Sequence, residues 1–176
     1  MSRMVRENQG SGLRERLFFA QWTLRDLRRR QQDGAPRGEQ LAQRAAVIFH
    51  LYSTVVGLAR QALRGQPDLL SARQISLAEI ERTASNADVH SPELALIAEA
   101  RANRDDMLCW LDEEALSLFA ASGFARRPQA PMENSLAVAV EDPYALLASG
   151  DLERLDQSIA RVQRLLEEAG TLMEEW

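Results

Sequence analysis

The chain contains no lysine: all 21 of its basic residues are arginine, against 26 acidic residues in a length of 176. This absence excludes Schiff-base chemistry, which needs a lysine amine, and the P-loop, whose motif contains a lysine. A GC-rich genome favours arginine codons and accounts for the composition without a functional cause. Arginine also binds carboxylate or phosphate groups through a fork of N–H donors, so a functional use stays open.

Cysteine and histidine are almost as scarce, since the chain has only Cys109, His50 and His90. A single cysteine cannot form an intrachain disulfide and favours a reducing compartment, so we expect a cytoplasmic protein. Two histidines exclude a metal site of three histidines, and the Glu-x-x-His pattern of di-iron bundles does not occur. The sequence predicts no metal and no other cofactor.

Long apolar runs are missing as well. The longest apolar stretch, residues 45–59, contains His50, Ser53 and Thr54 and is too short to cross a bilayer. Residues 1–9 are polar and lack the apolar core of a signal peptide. We therefore expect no association with a membrane.

The charges are unevenly distributed along the chain. Residues 1–64 contain 12 arginines and 5 acids, and residues 65–176 contain 9 arginines and 21 acids, so the net charges of +7 and −12 sum to −5. Helices from the two parts can attract one another inside one domain. This pattern favours internal ion pairs over a surface for nucleic acid.

Apolar residues recur at alternating steps of three and four in three parts of the chain, which places each set on one stripe of a helix. The three stripes are Leu13, Leu17, Ala20, Leu24 and Leu27; Leu41, Ala45, Ile48, Tyr52, Val55, Ala59 and Ala62; and Leu152, Leu155, Ile159, Val162, Leu166, Ala169, Met173 and Trp176. The second helix has the widest apolar arc, which predicts a central position. No strand pattern competes, so the sequence predicts an all-α, single-domain bundle of about five main helices over residues 1–176.

Capping and turn residues predict the ends of these helices. The expected helices cover about 11–32, 38–64, 71 or 76 to 86, a helix from 92 that breaks near Asn103, and 151–176. The expected N-caps are Ser11, Ser76 and Ser91, with Asp105 capping the segment after the break. Residues 1–10 are expected to be frayed.

Residues 122–150 are expected to form a long loop before the last helix, because Pro128, Pro131 and Pro143 interrupt any regular pattern there. Loops of this length in compact domains usually serve as lids, binding loops or linkers. The loop is therefore one candidate place for a function.

Arg44 and His50 resemble the R-x(4–6)-H motif of the helical HEPN ribonucleases, since five residues separate them. Six helical steps place the two side chains roughly 120° apart, so they converge poorly on a straight helix. A histidine packed and hydrogen-bonded against a neighbouring helix, close to Tyr52 in the same apolar segment, is the structural alternative. We prefer that interpretation.

Arg28, Arg29 and Arg30 form the densest basic cluster of the chain. They lie in the last turns of the first predicted helix, where cations complement the negative end of the helix dipole. Nucleic-acid binding normally combines a basic face with base-reading groups and a recognisable fold. A capping and solubilising role is therefore the preferred interpretation.

Five short segments follow one another in a fixed order: Leu17-Phe18-Phe19-Ala20, Phe49-His50-Leu51-Tyr52, Ser91-Pro92-Glu93-Leu94, Cys109-Trp110-Leu111 and Met173-Glu174-Glu175-Trp176. Together they resemble a family of small helical bacterial proteins, found chiefly in gammaproteobacteria, that has no assigned activity. The resemblance implies a cytoplasmic bacterial protein with an all-helical fold. It supplies no catalytic residue.

These features predict a non-enzymatic helical interaction module whose partner is another protein or a second copy of the chain. The alternative is a regulatory protein linked to nucleic acid, either a binder or a degenerate HEPN-like nuclease. The candidate residues for either function are His50, Arg44, Tyr52, Arg28, Arg29 and Arg30.

Overall fold

The computed structural model describes residues 3–69, 74–119 and 150–174, and the side chains of residues 12–66, 68–69, 74–119 and 150–171. These residues form a 3-10 turn at Pro67–Leu69 and six α-helices: α1 (Arg3–Gln32), α2 (Arg37–Ala62), α3 (Leu77–Asn86), α4 (Pro92–Ala102), α5 (Met107–Ser117) and α6 (Asp151–Glu174). The described ranges contain no strand. The predicted all-α bundle is confirmed.

Helices α1 and α2 form an antiparallel hairpin joined by a tight turn. Gly34 adopts a φ of +70°, which glycine tolerates without a steric penalty, and the N–H of Ala35 donates to the carbonyl of Arg30 at 2.9 Å. This is the glycine C-cap that the sequence predicts. Close contacts between Arg16 and Ser53 near one end, and between Arg30 and Glu39 near the other, keep the helices side by side.

Helix α2 occupies the centre of the bundle, as its wide apolar arc predicts. It contacts α1, α3, α4, α5 and α6. Its fully buried side chains include Val47, Ile48, Leu51, Val55 and Leu58. Burial of these branched and long side chains from water supplies the main stabilising contribution of this helix.

By length and composition alone, α2 is the one described helix that meets the criteria for a membrane span, although 56% of its most apolar window is buried inside the bundle. The core helix of a soluble protein meets the same criteria. The qualifying helix extends beyond the apolar stretch of residues 45–59 on both sides, and the absence of membrane association stays a prediction.

The observed helix ends correct two of the predicted caps. Helix α1 begins at Arg3, so Ser11 lies inside it and is not its N-cap; a glycine inside a helix costs only about 1 kcal/mol and need not end it. Ser76 occupies the N-cap position of α3 as predicted, but its side chain makes no capping hydrogen bond. Asp106, not Asp105, caps α5 by accepting from the N–H of Leu108 at 2.8 Å.

The predicted break near Asn103 is confirmed, and it explains why six α-helices occur where about five were expected. Asn103 lies at the C-terminal end of α4, and its side-chain oxygen accepts from the N–H of Asp105 at 3.0 Å. Ser91 caps α4 as predicted, accepting from the N–H of Leu94.

The buried face of α6 is rotated slightly from its predicted stripe. Leu155, Val162, Leu165 and Ala169 are buried, whereas Leu152, Ile159 and Leu166 are only partly buried. Leu165 therefore belongs to the core although the predicted stripe omits it. The side chains of Met173 and Trp176 lie outside the described residues, and so do residues 122–149 of the predicted loop.

Candidate functional site

Arg44 lies on the side of α2 that faces α5 and α6. Its guanidinium donates to both carboxylate oxygens of Asp151 and to Glu114 at 2.8 Å, and its centre lies 5.9 Å from the ring of Trp110. Burial opposes the positive charge, but Asp151 and then Glu114 raise the pKa of Arg44 above its ordinary value. Arg44 is thus occupied by internal partners that join three helices.

His50 lies on a different side of α2, towards α1. Its ring stands 5.6 Å from the ring of Phe19 and 5.9 Å from that of Phe49, measured between centroids. Partial burial lowers the pKa of His50 below its ordinary value. The structure does not bring Arg44 and His50 to a common site: Arg44 contacts acids of α5 and α6, and His50 contacts aromatic rings.

Tyr52 anchors α3 to α2. Its hydroxyl oxygen accepts from the N–H of Leu77, the first residue of α3, at 3.2 Å. Burial raises the pKa of Tyr52 to about 12, and the neighbouring carboxylate of Asp112 adds to this effect. The phenol therefore stays neutral over the physiological range and acts as a structural hydrogen-bonding group.

The basic cluster at the end of α1 is paired with acids of the same chain. Arg28 binds Asp156 of α6, whereas Arg29 and Arg30 both bind Asp26. The hydrogen bond from Arg30 lowers the pKa of Asp26 below its ordinary value. These contacts agree with the structural interpretation of the cluster, and the pair between Arg28 and Asp156 joins the basic and acidic parts of the chain as predicted.

Described residues of α1, α2 and the end of α5 line an open groove of about 860 Å³, which we call the aromatic groove. Its lining residues are Gly12, Leu13, Glu15, Arg16, Phe19, Phe49, His50, Tyr52, Ser53, Val56, Gly57, Arg60, Gln61, Arg64, Ile75, Ala115, Leu118 and Phe119. His50 and Tyr52 are the only two of the six candidate residues in this lining.

The aromatic groove exposes large apolar side chains to solvent. The exposed fraction is 39% for Phe19, 55% for Phe49, 51% for Ile75 and 62% for Phe119. Phe18, whose ring centroid lies 6.2 Å from that of Phe19, and Trp22 are also exposed on α1, at 52% and 56%, although neither lines the groove. Scattered exposed apolar residues are normal, whereas several large ones around a single groove are typical of interaction sites.

The polar residues of the aromatic groove are mainly basic. The antiparallel helices place Arg16 of α1 beside Ser53 and Gly57 of α2, near the middle of the groove, and Arg16 donates to the carbonyl of Ser53 at 3.2 Å. Arg60 follows on the next turn of α2, and Arg64 lies in the turn just after that helix ends. The groove is therefore aromatic near Phe49 and positively charged near Arg64.

The exposed aromatic residues of α1 and of this groove are not among the candidates that the sequence singles out. Phe18, Phe19 and Trp22 fall between the members of the buried stripe of α1, and Phe49 lies in the wide apolar arc of α2, whose predicted central position implies that a neighbouring helix covers it. An aromatic residue outside the buried stripe of an amphipathic helix is the available signal. No cluster of three or more potential metal ligands occurs among the described residues.

We expect His50 to make the stability of the protein depend on pH in a specific acid window. Because the native pKa of His50 lies below 6.5, the unfolded chain binds the proton more readily than the folded chain does. The contribution of neutral His50 to the free energy of unfolding is therefore lost as pH falls from 6.5 through the native pKa. Urea unfolding between about pH 7.5 and about pH 5 should therefore show a steeper loss for wild type than for His50→Gln. Parallel curves for the two proteins would contradict this assignment.

Comparisons with protein-family models, with curated proteins and with solved structures gave no match. The resemblance to the family of helical bacterial proteins stays a prediction. The interpretation of function rests on the groove itself.

Proposed function

We propose that this protein is a non-enzymatic interaction module that binds another protein through the aromatic groove. The observation that carries the proposal is the exposure of Phe19, Phe49 and Phe119 around one groove. Phenylalanine, tyrosine and tryptophan bury large areas and are enriched in protein interfaces. Covering such side chains gives a partner a strong hydrophobic contribution to binding.

A binding role also agrees with how the candidate chemical groups are used. Arg44 is bound by Asp151 and Glu114, and Tyr52 holds the start of α3. A general base needs a hydrogen-bonding partner that orients it, whereas the ring contacts of His50 are with Phe19 and Phe49. These positions support a structural use of the three residues.

A second candidate function is binding of single-stranded nucleic acid. The observation in its favour is that Phe49, His50 and three arginines line one groove. Proteins that bind single-stranded nucleic acid combine aromatic side chains, on which bases stack, with a positively charged groove. The net charge of −5 opposes this function, as does the aliphatic lining contributed by Leu13, Val56 and Ile75. We therefore rank it below protein binding.

Site-specific photo-crosslinking in the source cells tests the proposed function. A photoreactive phenylalanine analogue placed at Phe49 should give a protein adduct, and the same analogue at Ala160, an exposed position of α6, should not. A protease-sensitive adduct at position 49 alone supports the proposal. A nuclease-sensitive adduct would favour the second candidate, and adducts at both positions, or none, would contradict a groove-specific protein partner.

A further inference from the structure

The aromatic groove is long enough to accept a helix. Its lining on α2 runs from Phe49 to Gln61, and twelve steps of 1.5 Å correspond to roughly 18 Å. Arg64 extends the lining into the turn after α2, so the groove matches a helix of about four turns. The lining positions on α2 recur at steps of three and four, so they form one continuous helical face. The opposite wall is helix α1, and two antiparallel helices leave a groove into which the side-chain ridge of a third can pack.

Close packing between α1 and α2 shapes the floor of this groove. A Cβ atom added to Gly57 would lie 2.6 Å from both Leu13 Cδ2 and Arg16 Nη1. Glycine at this position therefore lets α1 approach α2 closely and lets Arg16 reach the carbonyl of Ser53. The guanidinium of Arg16 is held at the rim of the groove by this bond.

The positive charge of the groove selects among possible occupants. Arg16 lines its middle, Arg60 and Arg64 line the part near the end of α2, and Glu15 is the only acid among the described lining residues. Within the described part of the chain, neither Arg16 nor Arg64 forms an ion pair with a carboxylate. Acidic side chains on a partner would therefore meet complementary charge here.

A second copy of the chain fits this surface poorly. Two hairpins placed groove to groove would bring arginines of residues 1–64 towards one another, and that segment has a net charge of +7. The described part of the acidic helix α6 offers little apolar surface to another copy, because Leu155, Val162 and Leu165 are buried and Leu152, Ile159 and Leu166 pack partly against its own core. The occupant is better sought in another protein.

Building on the proposed function, we propose that the aromatic groove binds an amphipathic α-helix of another protein, about four turns long, with acidic residues at one end. The apolar stripe of that helix covers Phe19, Phe49 and Phe119. Its acidic end lies beside Arg16 and Arg64, where charge complementarity fixes its direction along the groove.

Two synthetic peptides test this inference on the full chain by fluorescence anisotropy. Both are fluorescein-labelled helical 16-residue peptides with the same leucine stripe, and one carries glutamates in its last turn where the other carries lysines. We expect the glutamate peptide to bind wild type about tenfold more tightly than the lysine peptide. Equal affinities, or no binding by either peptide, would overturn the inference.

Three variants locate the binding on the groove. The double variant Arg16→Gln/Arg64→Gln should weaken the glutamate peptide by about tenfold and leave the lysine peptide unaffected or tighter. The matched double variant Arg154→Gln/Arg164→Gln removes two exposed arginines of α6 and should leave both affinities unchanged. Phe49→Ser should weaken both peptides, and circular dichroism checks that each variant is folded. An unchanged glutamate-peptide affinity in the Arg16/Arg64 variant would overturn the assigned charge contacts.

The two experiments fail independently. A protein adduct at Phe49 together with equal or absent peptide binding would leave the interaction module in place and reject the acidic helix as its ligand. A labelled single-stranded 15-nucleotide DNA that binds more tightly than the glutamate peptide, and loses binding in the Arg16/Arg64 variant, would reject the helix in favour of nucleic acid.

Discussion

Replacing Arg44 with methionine should lower the free energy of unfolding by about 3–5 kcal/mol, because it leaves a buried carboxylate without its partner. The side chains of Arg44 and Asp151 are each only 4% exposed. In wild type the guanidinium neutralises Asp151 and also binds Glu114. Methionine fills a similar volume but supplies neither charge nor hydrogen-bond donors, so Asp151 must lose its charge, draw in water or move. Urea unfolding at pH 7 measures the loss.

A matched control and a double variant separate the effect of charge from that of volume. Arg29→Met removes an arginine that is 69% exposed and paired with Asp26, so it should cost about 1 kcal/mol or less. Arg44→Met/Asp151→Leu removes both charges and should recover part of the stability lost in the single variant. If the double variant loses at least as much free energy of unfolding as the two single variants lose together, the broken ion pair is not the cause of the destabilisation.

Leu51→Ala should destabilise the protein by about 2–5 kcal/mol, while Phe49→Ala should cost about 1 kcal/mol or less. The two residues are neighbours on α2, yet Leu51 is fully buried and Phe49 is 55% exposed. Removing the leucine side chain leaves a cavity beneath several helices, whereas the phenylalanine mainly contacts solvent and His50. Thermal and urea unfolding of both variants measure the difference.

This comparison also tests the nature of the aromatic groove. If Phe49 were a core residue in solution, Phe49→Ala would destabilise the protein as strongly as Leu51→Ala. If it is a binding residue, its replacement should lower partner binding and leave the unfolding transition nearly unchanged. Equal losses of stability in the two variants would remove the basis for a docking site on this face.

The helical architecture could be predicted from the sequence because it depends on local periodicity. Leu13, Leu17, Ala20, Leu24 and Leu27 are all buried, as their spacing predicts. The turn at Gly34 and the cap at Ser91 were also predictable, because each depends on chemistry within a few residues. Periodicity alone could not distinguish a covered apolar arc from an exposed one, so the exposure of Phe49 could not be predicted.

Ion pairs between helices that are distant in the sequence could not be predicted from local patterns. Arg101 interrupts the apolar stripe of α4 in the sequence, and only the fold reveals that it binds Glu81 and Asp112 from α3 and α5. Arg44 similarly finds its partners on two distant helices. Which acid meets which arginine depends on how the helices are arranged in space, and no spacing rule along the chain specifies that.

The hairpin of α1 and α2 has a consequence for the order in which the chain folds. Its helices are separated by only four residues, so closing it costs little chain entropy, whereas the ion pairs that join α6 to α2 and α1 span 107 and 128 residues. Folding is therefore expected to begin in the hairpin, with α6 docking afterwards. The two walls of the aromatic groove belong to that hairpin, so most of the proposed binding surface would form before the bundle is complete. A nascent chain would expose it early, when partners and non-specific contacts compete for the same aromatic side chains.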